Sequence, residues 1–235
     1  MPTDSLRAVL SQTERLVDEG RLPIAVFDLD STLFNTAGRH LKILQDFADE
    51  VPELAPIVAE IDHHEFGWSV AGPLRSRGID DPVILAQLSR FWFERFFTDD
   101  YVLHDRPSLG GPDFVNAFWE RGGLVYYLTG RDVIGMAQGT TKALIAANYP
   151  YYRGRTVLHL KPTFEEPDKP FKDEAIAEIR SYRGDVVATF ENEPGNANMF
   201  LSAFPQASHF LHGLVCAPDG EAGDPSLIRI TDFRY

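Results

Sequence analysis

The run Ile24-Ala25-Val26-Phe27-Asp28-Leu29-Asp30-Ser31-Thr32 joins four apolar residues to a pair of carboxylates. Four consecutive apolar residues predict a short buried strand, and this strand ends in Asp28 and Asp30. Alternation along an extended chain sends these two side chains toward the same side. Burying like charges costs about several kcal/mol each unless a cation or a reacting group compensates. The stretch therefore predicts a metal-dependent site at the carboxyl end of a strand.

Composition limits the classes of partner. The chain has 235 residues and a formal net charge of −13, which argues against nucleic acid as the main partner. No apolar run is long enough to span a bilayer, and residues 1–20 lack the pattern of a secretory signal, so we expect no membrane partner. Cys216 is the single cysteine, which excludes an intramolecular disulfide and predicts a cytoplasmic location.

Strand-like and helix-like patterns alternate in the second half of the sequence. Strands are predicted at 124–128, 156–160, 186–190 and 208–211, with helices at 133–147, 173–182 and 196–204. Such alternation predicts an α/β fold, with a parallel sheet covered by helices on both faces. The expected architecture is a three-layer, Rossmann-like core.

The segment 37–99, called here the helical insertion, breaks this alternation. It shows helical spacing of apolar residues and several prolines, and it includes a dense aromatic run at 91–97. The run predicts either helix core or a lining for a substrate. We expect a core of residues 1–36 and 100–235, with the helical insertion as a second domain. Residues 1–20 predict an amphipathic helix that packs on the core or contributes to a homodimer.

Polar residues follow each predicted strand of the core. Ligands bind beyond the carboxyl ends of strands in open parallel sheets, so these residues are expected to converge. The first strand is followed by Asp28 and Asp30, and the second by Thr129-Gly130-Arg131-Asp132. The third is followed by Lys161, Lys169 and Lys172, and the fourth by Glu191-Asn192-Glu193.

These four motifs, in this order, resemble those of the haloacid dehalogenase superfamily of phosphohydrolases. The match covers residues 22–36 and 100–235, and Asp28-Leu29-Asp30-Ser31-Thr32 is its most specific part. The helical insertion is similar to the cap domains of that superfamily. The resemblance implies that Asp28 is a nucleophile that forms an aspartyl-phosphate, and that Asp30 is the general acid and base. It also implies a Mg²⁺ ion bound by Asp28, the Asp30 carbonyl and an acid of the last motif.

The resemblance further implies a phosphate site. The Thr129 hydroxyl and the Gly130 amide would donate to phosphate oxygens. Lys172 would bind phosphate, because a lysine at the start of the predicted helix 173–182 opposes the macrodipole and so suggests an anionic ligand. Lys161 and Lys169 are alternatives for this role.

The last motif departs from the usual form of the superfamily, because glutamates replace aspartates. Glu191 directly follows the strand and is the preferred metal ligand, with a neighbouring residue of the motif as the alternative. Glu193 could instead cap the helix that Pro194 begins. Arg131 is expected either to contact substrate or to pair with an acid. The histidine pairs His63-His64 and His209/His212 are expected to be surface and structural groups, respectively.

The expected function is Mg²⁺-dependent hydrolysis of a phosphate monoester of a small metabolite. Two alternatives use the same fold. One is a phosphotransferase or mutase that passes the phosphoryl group to another acceptor, and the other is a phospholigand-binding protein without turnover.

Overall fold

A six-stranded parallel sheet forms the centre of the protein. The computed structural model describes residues 2–213 and 215–235, and the sheet order is β5-β4-β1-β6-β7-β8. A separate antiparallel pair joins β2 to β3. The strands are β1 Pro23–Phe27, β2 Phe34–Asn35, β3 Arg106–Pro107, β4 Leu124–Asp132, β5 Thr156–Lys161, β6 Asp185–Glu191, β7 Ser208–His212 and β8 Ile228–Ile230.

Helices cover both faces of the sheet. Side chains of α1, α7 and α8 share one apolar cluster with alternate residues of β1, and those of α9 and α10 share another cluster on the opposite face. The helices are α1 Pro2–Asp18, α2 Ala37–Glu50, α3 Ala55–Val58, α4 Gly72–Arg75, α5 Pro82–Phe96, α6 Asp99–Val102, α7 Gly111–Glu120, α8 Val133–Ala146, α9 Asp168–Ser181 and α10 Pro194–Ala203. The predicted α/β class and three-layer architecture are confirmed.

Strand β1 explains why the sheet needs helices on both sides. All five of its residues are buried. Ala25 and Phe27 pack toward α7, while Ile24 and Val26 pack toward α9. A strand that is apolar on both faces is stable only in the middle of a covered sheet.

The helical insertion has an apolar cluster of its own, whose buried members all lie between Ala37 and Phe96. Its longest helices, α2 and α5, pack on one another. The Asp81 side chain caps α5 by accepting a hydrogen bond from the Val83 N–H at 2.8 Å, and Pro82 occupies the first turn. In the described part of the chain, no helix is long and apolar enough to cross a membrane.

Several boundaries differ from those predicted from the sequence. Helix α9 begins at Asp168, not at 173, because Pro170 is tolerated in a first turn where its missing N–H would have no intrahelical partner. Lys172 is thus the fifth residue of α9, so the argument from the macrodipole was wrong. Strand β8 was not predicted, since only Ile228–Ile230 pair with β7 and so short a run gives no periodic signal.

Candidate active site

Three charged side chains meet at the carboxyl edge of the sheet. Asp28 directly follows β1, Glu191 ends β6, and Lys172 projects from α9 between them. The Lys172 ammonium donates to Asp28 Oδ1 at 2.7 Å and to Glu191 Oε1 at 2.5 Å. All three side chains are almost fully buried. The adjacent strands β1 and β6 bring together acids that are 163 positions apart in sequence.

Burial and pairing act in opposite directions on these groups. Burial raises the pKa of Asp28, although the Lys172 charge counteracts part of the effect. Burial likewise raises the pKa of Glu191 to about 8, again against the attraction of Lys172. Burial alone would lower the pKa of Lys172, but the two carboxylates outweigh it and raise that pKa. One ammonium therefore only partly compensates two buried carboxylates.

Glu191 retains an unused oxygen. Its Oε2 atom is buried and has no hydrogen-bond partner among the described residues. An orphaned carboxylate oxygen beside Asp28 is the kind of hard, anionic donor that Mg²⁺ prefers. Two backbone hydrogen bonds close the turn after Asp28. The Ser31 N–H donates to the Phe34 carbonyl and the Phe34 N–H donates to the Leu29 carbonyl, so neither bond uses the Asp30 carbonyl. The donor set fits a divalent cation.

The turn after Asp30 is tight. Ser31 has a φ of 60°, which lies in the left-handed region that non-glycine residues rarely adopt. Such strained residues persist where the surrounding structure fixes them, and they cluster at functional sites. The turn reverses the chain directly after Asp30, and Asp28 and Asp30 both line the same cavity.

Thr129 and Gly130 line this cavity together with Asp28 and Lys172. The Thr129 hydroxyl oxygen accepts a hydrogen bond from the Arg131 N–H at 3.2 Å, which leaves its own proton free to be donated. Gly130 leaves room for the Asp168 carboxylate, because a Cβ atom at this position would lie 2.5 Å from Asp168 Oδ2. The structure thus brings together the residues predicted to bind phosphate.

Asp30 belongs to a second, separate network of charges. Its Oδ1 accepts hydrogen bonds from Arg39 Nη2 at 3.0 Å and from Arg131 Nε at 3.1 Å. Arg131 Nη2 also donates to this oxygen and, at 2.8 Å, to Asp105. Arg39 binds both oxygens of Asp105. The four side chains form a closed square of two cations and two anions.

This network controls the charge of Asp30. Burial opposes ionisation, but the charges of Arg131 and Arg39 outweigh it and hold the pKa of Asp30 well below its usual range. Both guanidinium groups and the Asp105 carboxylate are fully buried, whereas the Asp30 side chain is 33% exposed toward the cavity. Asp30 is therefore an ionised carboxylate with one accessible edge.

Sequence reasoning missed Arg39 and Asp105. A signal for Arg39 existed, because it stands four positions before Ile43 and eight before Phe47, on the apolar stripe of α2. A cation on that stripe indicates a buried anionic partner. Asp105 carried no such signal, since it lies in an irregular segment 66 residues from Arg39. Of the two expectations for Arg131, pairing with an acid is the one observed.

The alternatives to Lys172 and the second glutamate of the last motif bind elsewhere. Lys161 donates to two loop carbonyls and pairs with Asp168 at 2.7 Å. Lys169 is half-exposed and pairs with Glu221. Glu193 stands at the N-cap position of α10, but its side chain accepts from the Ala217 N–H at 3.0 Å and makes no capping bond.

The histidine pairs lie outside the cavity. His64 is exposed, and with Asp62 and His63 it forms a group whose spacing could hold a metal ion, although Asp62 already accepts the His64 N–H. His209 is buried and bonds Thr189. His212 is buried with both ring nitrogens unpartnered among the described residues.

The cavity beyond the sheet edge has a volume of about 280 Å³, close to the lower limit for small-ligand sites. The core supplies its charged floor. The helical insertion supplies the opposite wall, which is mostly aromatic and includes His40, Trp68, Trp92, Phe96 and Phe97. Part of the aromatic run is therefore helix core and part lines the cavity.

Solved structures with similar folds identify the architecture. The chain is similar to a haloacid dehalogenase-superfamily hydrolase of subfamily IA from Geobacter sulfurreducens, with a TM-score of 0.53, 12% identity, and coverage of 91% of this chain and 93% of that one. A provisionally assigned phosphatase from Clostridium difficile gives a TM-score of 0.52 at 10% identity, and the match covers 89% of this chain and 94% of that one. A provisionally assigned haloacid dehalogenase-like hydrolase from Burkholderia xenovorans gives a TM-score of 0.51 at 11% identity, and the match covers 91% of this chain and 94% of that one.

The protein has the haloacid dehalogenase-like fold. No protein-family model matches the sequence, and no curated protein matches it either. At 10–12% identity, the likeness to these haloacid dehalogenase-like structures concerns the fold. One fold supports many chemistries, so the function has to be inferred from the site itself.

Proposed function

We propose that this protein hydrolyses a phosphate monoester of a small metabolite through an aspartyl-phosphate on Asp28, with Mg²⁺ as cofactor. The observation that carries the proposal is the Lys172 ammonium, which bridges Asp28 and Glu191 at the floor of the cavity that Thr129 and Gly130 line. A nucleophile, a cation and two phosphate donors within one small cavity are the parts that phosphoryl transfer requires.

In the first step, a carboxylate oxygen of Asp28 attacks phosphorus. The bond from this oxygen to phosphorus forms as the bond to the ester oxygen breaks, and the ester oxygen leaves with the bonding electron pair and is released as the alcohol once it has taken up a proton. Lys172 opposes the charge of the incoming phosphate, while the Thr129 hydroxyl and the Gly130 N–H donate to its equatorial oxygens. A bound Mg²⁺ would neutralise charge between the two anions, held by Asp28, Glu191 and the Asp30 carbonyl.

In the second step, the oxygen of a water molecule bonds to the phosphorus of the aspartyl-phosphate as the bond from phosphorus to Asp28 breaks, which releases inorganic phosphate and restores the Asp28 carboxylate. Asp30 has an exposed carboxylate edge toward the cavity, and it accepts the proton of the attacking water. The same side chain would donate a proton to the leaving alcohol in the first step. The proton that Asp30 takes from water in the second step replaces the one that it gives to the leaving oxygen in the first, so the two steps balance. Arg39 and Arg131 favour the ionised form of Asp30, which is the form that accepts the proton.

The proposal is tested by measuring phosphate release from a panel of phosphorylated metabolites with Mg²⁺ and with a chelator. We expect release that depends on Mg²⁺ and falls below detection in Asp28→Asn. The exposed Asp49→Asn on α2 is the matched control and should retain full activity. Turnover that survives both chelation and Asp28→Asn would refute the proposal.

The same panel separates the alternatives. Release only when an acceptor alcohol is added would indicate a phosphotransferase or mutase. Tight Mg²⁺-dependent binding of phosphate without any turnover would indicate a binding protein. The proposed partner is a small phosphorylated metabolite. A cytoplasmic location and a homodimer stay predictions from the sequence.

A further inference from the structure

The wall of the cavity opposite the phosphate site contains large aromatic side chains. Trp92 and Phe96 come from α5, and Trp68 comes from the loop after the short helix His63–Glu65. Trp68 is 54% exposed although it is one of the largest apolar side chains in the protein. An exposed tryptophan at the edge of a cavity that is otherwise aromatic on that side indicates a surface for a flat, apolar ligand group.

His40 adds one polar group to this wall. The Trp92 Nε1–H donates to His40 Nδ1 at 3.1 Å, and an indole nitrogen can only donate. A neutral imidazole that accepts at Nδ1 carries its hydrogen on Nε2. Burial, helped by the nearby Arg39 charge, lowers the pKa of His40 to about 3, so the ring is neutral.

The Nε2–H of His40 is available to a ligand. The side chain is 4% exposed and lines the cavity, and no hydrogen bond from Nε2 is found among the described residues. The ring is fixed in place, because it lies parallel to Phe66 and to Trp92 with centroid distances of 5.8 and 6.0 Å. A rigid, buried donor directed at a cavity is a specificity group for an acceptor on the ligand.

The charges around the cavity disfavour a second acidic group on the substrate. Within the described part of the chain, its cationic lining consists of Lys172 and Arg131, and both are already bonded to carboxylates. Asp168 and Glu193 line the cavity as well, and Lys161 beside Asp168 is already paired with it. A substrate carboxylate or second phosphate would therefore meet repulsion and have no cation to pair with.

Building on the proposed phosphatase function, we propose that the substrate is a monophosphate ester of an alcohol that carries a flat, uncharged ring. The ring packs against Trp68 and Trp92, and an acceptor atom on it receives the hydrogen bond from His40 Nε2. No second anionic group is present. The phosphate is held by the core, so the helical insertion selects the alcohol.

Matched synthetic esters test the ring and the charge separately. Benzyl, cyclohexylmethyl and 4-carboxybenzyl phosphate differ in flatness or charge and release alcohols of similar acidity. We expect kcat/KM for benzyl phosphate to exceed that for cyclohexylmethyl phosphate by about twofold to twelvefold, the range that aromatic packing supplies. It should also exceed that for 4-carboxybenzyl phosphate, because the added carboxylate finds no unpaired cation among the described residues that line the cavity. Trp68→Ala should abolish the preference over cyclohexylmethyl phosphate, whereas Tyr152→Ala, at another exposed aromatic outside the cavity, should preserve it.

The donor is tested with the pyridylmethyl phosphates, whose ring nitrogen accepts a hydrogen bond. We expect the better of the 3- and 4-isomers to exceed benzyl phosphate in the native protein and to lose that advantage in His40→Phe. The ratio of two substrates within one variant is unaffected by partial loss of folded protein.

The outcomes separate the two proposals. Equal turnover of the flat, non-flat and carboxylated esters, or an unchanged preference in Trp68→Ala, overturns the substrate class while leaving the phosphatase function in place. An unchanged pyridyl advantage in His40→Phe overturns the role of the donor. Absence of phosphate release from every ester and from the metabolite panel overturns the phosphatase function and the substrate class together.

Discussion

Replacing Arg39 by methionine should destabilise the protein strongly. The side chain is fully buried, and its guanidinium group donates to both oxygens of Asp105, to Asp30 at 3.0 Å and to the Phe96 carbonyl at 3.1 Å. Methionine keeps most of the apolar stem but leaves two carboxylates facing Arg131 alone. Removing one partner of a buried charge network costs about 3–5 kcal/mol, because a buried charge loses its compensation.

The measurement is the free energy of unfolding in urea for the native protein and for Arg39→Met. Arg90→Met is the matched control, because Arg90 is 84% exposed and pairs with Glu94 on the same helix face. Surface pairs contribute about 0–1 kcal/mol, so the control should change little. A double variant, Arg39→Met with Asp105→Asn, should recover about 1–3 kcal/mol of the loss, since the orphaned charge is then removed.

A loss below about 1 kcal/mol in Arg39→Met would refute this reasoning, because it would mean that the network behaves like a surface pair. Additive losses in the double variant would refute it as well, since independent sites do not share a partner.

Three further predictions concern the floor of the cavity. Lys172→Met should destabilise the metal-free protein by about 3–5 kcal/mol, because Asp28 and Glu191 lose their cation, and Mg²⁺ should restore part of this stability in urea unfolding. Burial raises the pKa of Glu191 from 4.5 to about 8, so the native state retains a proton that the unfolded chain loses. The contribution of Glu191 to the unfolding free energy of the metal-free protein should therefore fall as pH rises from 4.5 to 8. It is measured as the difference in unfolding free energy between the native protein and Glu191→Gln across this range, which cancels the contribution of the buried histidines. Gly130→Ala should raise KM with little change in stability, because its Cβ displaces the Asp168 carboxylate at the cavity and this side chain is 59% exposed and can move. Unchanged kinetics would contradict the close approach.

The first strand and its acids were predictable because their signal is local. A short apolar run followed by Asp28 and Asp30 specifies both a buried strand and a polar site, and periodicity located the remaining strands of the sheet except β8. Convergence at one edge then followed from the parallel topology. Glu191 could be proposed as a partner of Asp28 for the same reason. Convergence alone did not choose among Lys161, Lys169 and Lys172, and the preference for Lys172 depended on a helix start that lies five residues earlier in the structure.

The parts that sequence could not supply depend on contacts between distant segments. Arg39 and Asp105 meet only because the chain leaves the core after β1, forms the helical insertion and then returns to the core at Asp105. The start of α9 was predicted too late, since Pro170 is a breaker in a helix interior and acceptable in a first turn. In the aromatic run, helical spacing could not decide which rings face the cavity, because that depends on how the helical insertion is tilted.

The network of Asp30, Arg39, Asp105 and Arg131 also limits which foreign segments could replace the helical insertion in this protein. Arg39 is the one member contributed by the helical insertion, whereas Asp30, Asp105 and Arg131 belong to the segments on either side. Those three carry a net charge of −1 among themselves. A foreign insertion grafted between them would bury an uncompensated anion unless it brought a cation to the position of Arg39. A chimera of this protein therefore has to keep an arginine at position 39 or carry a neutral residue at position 105.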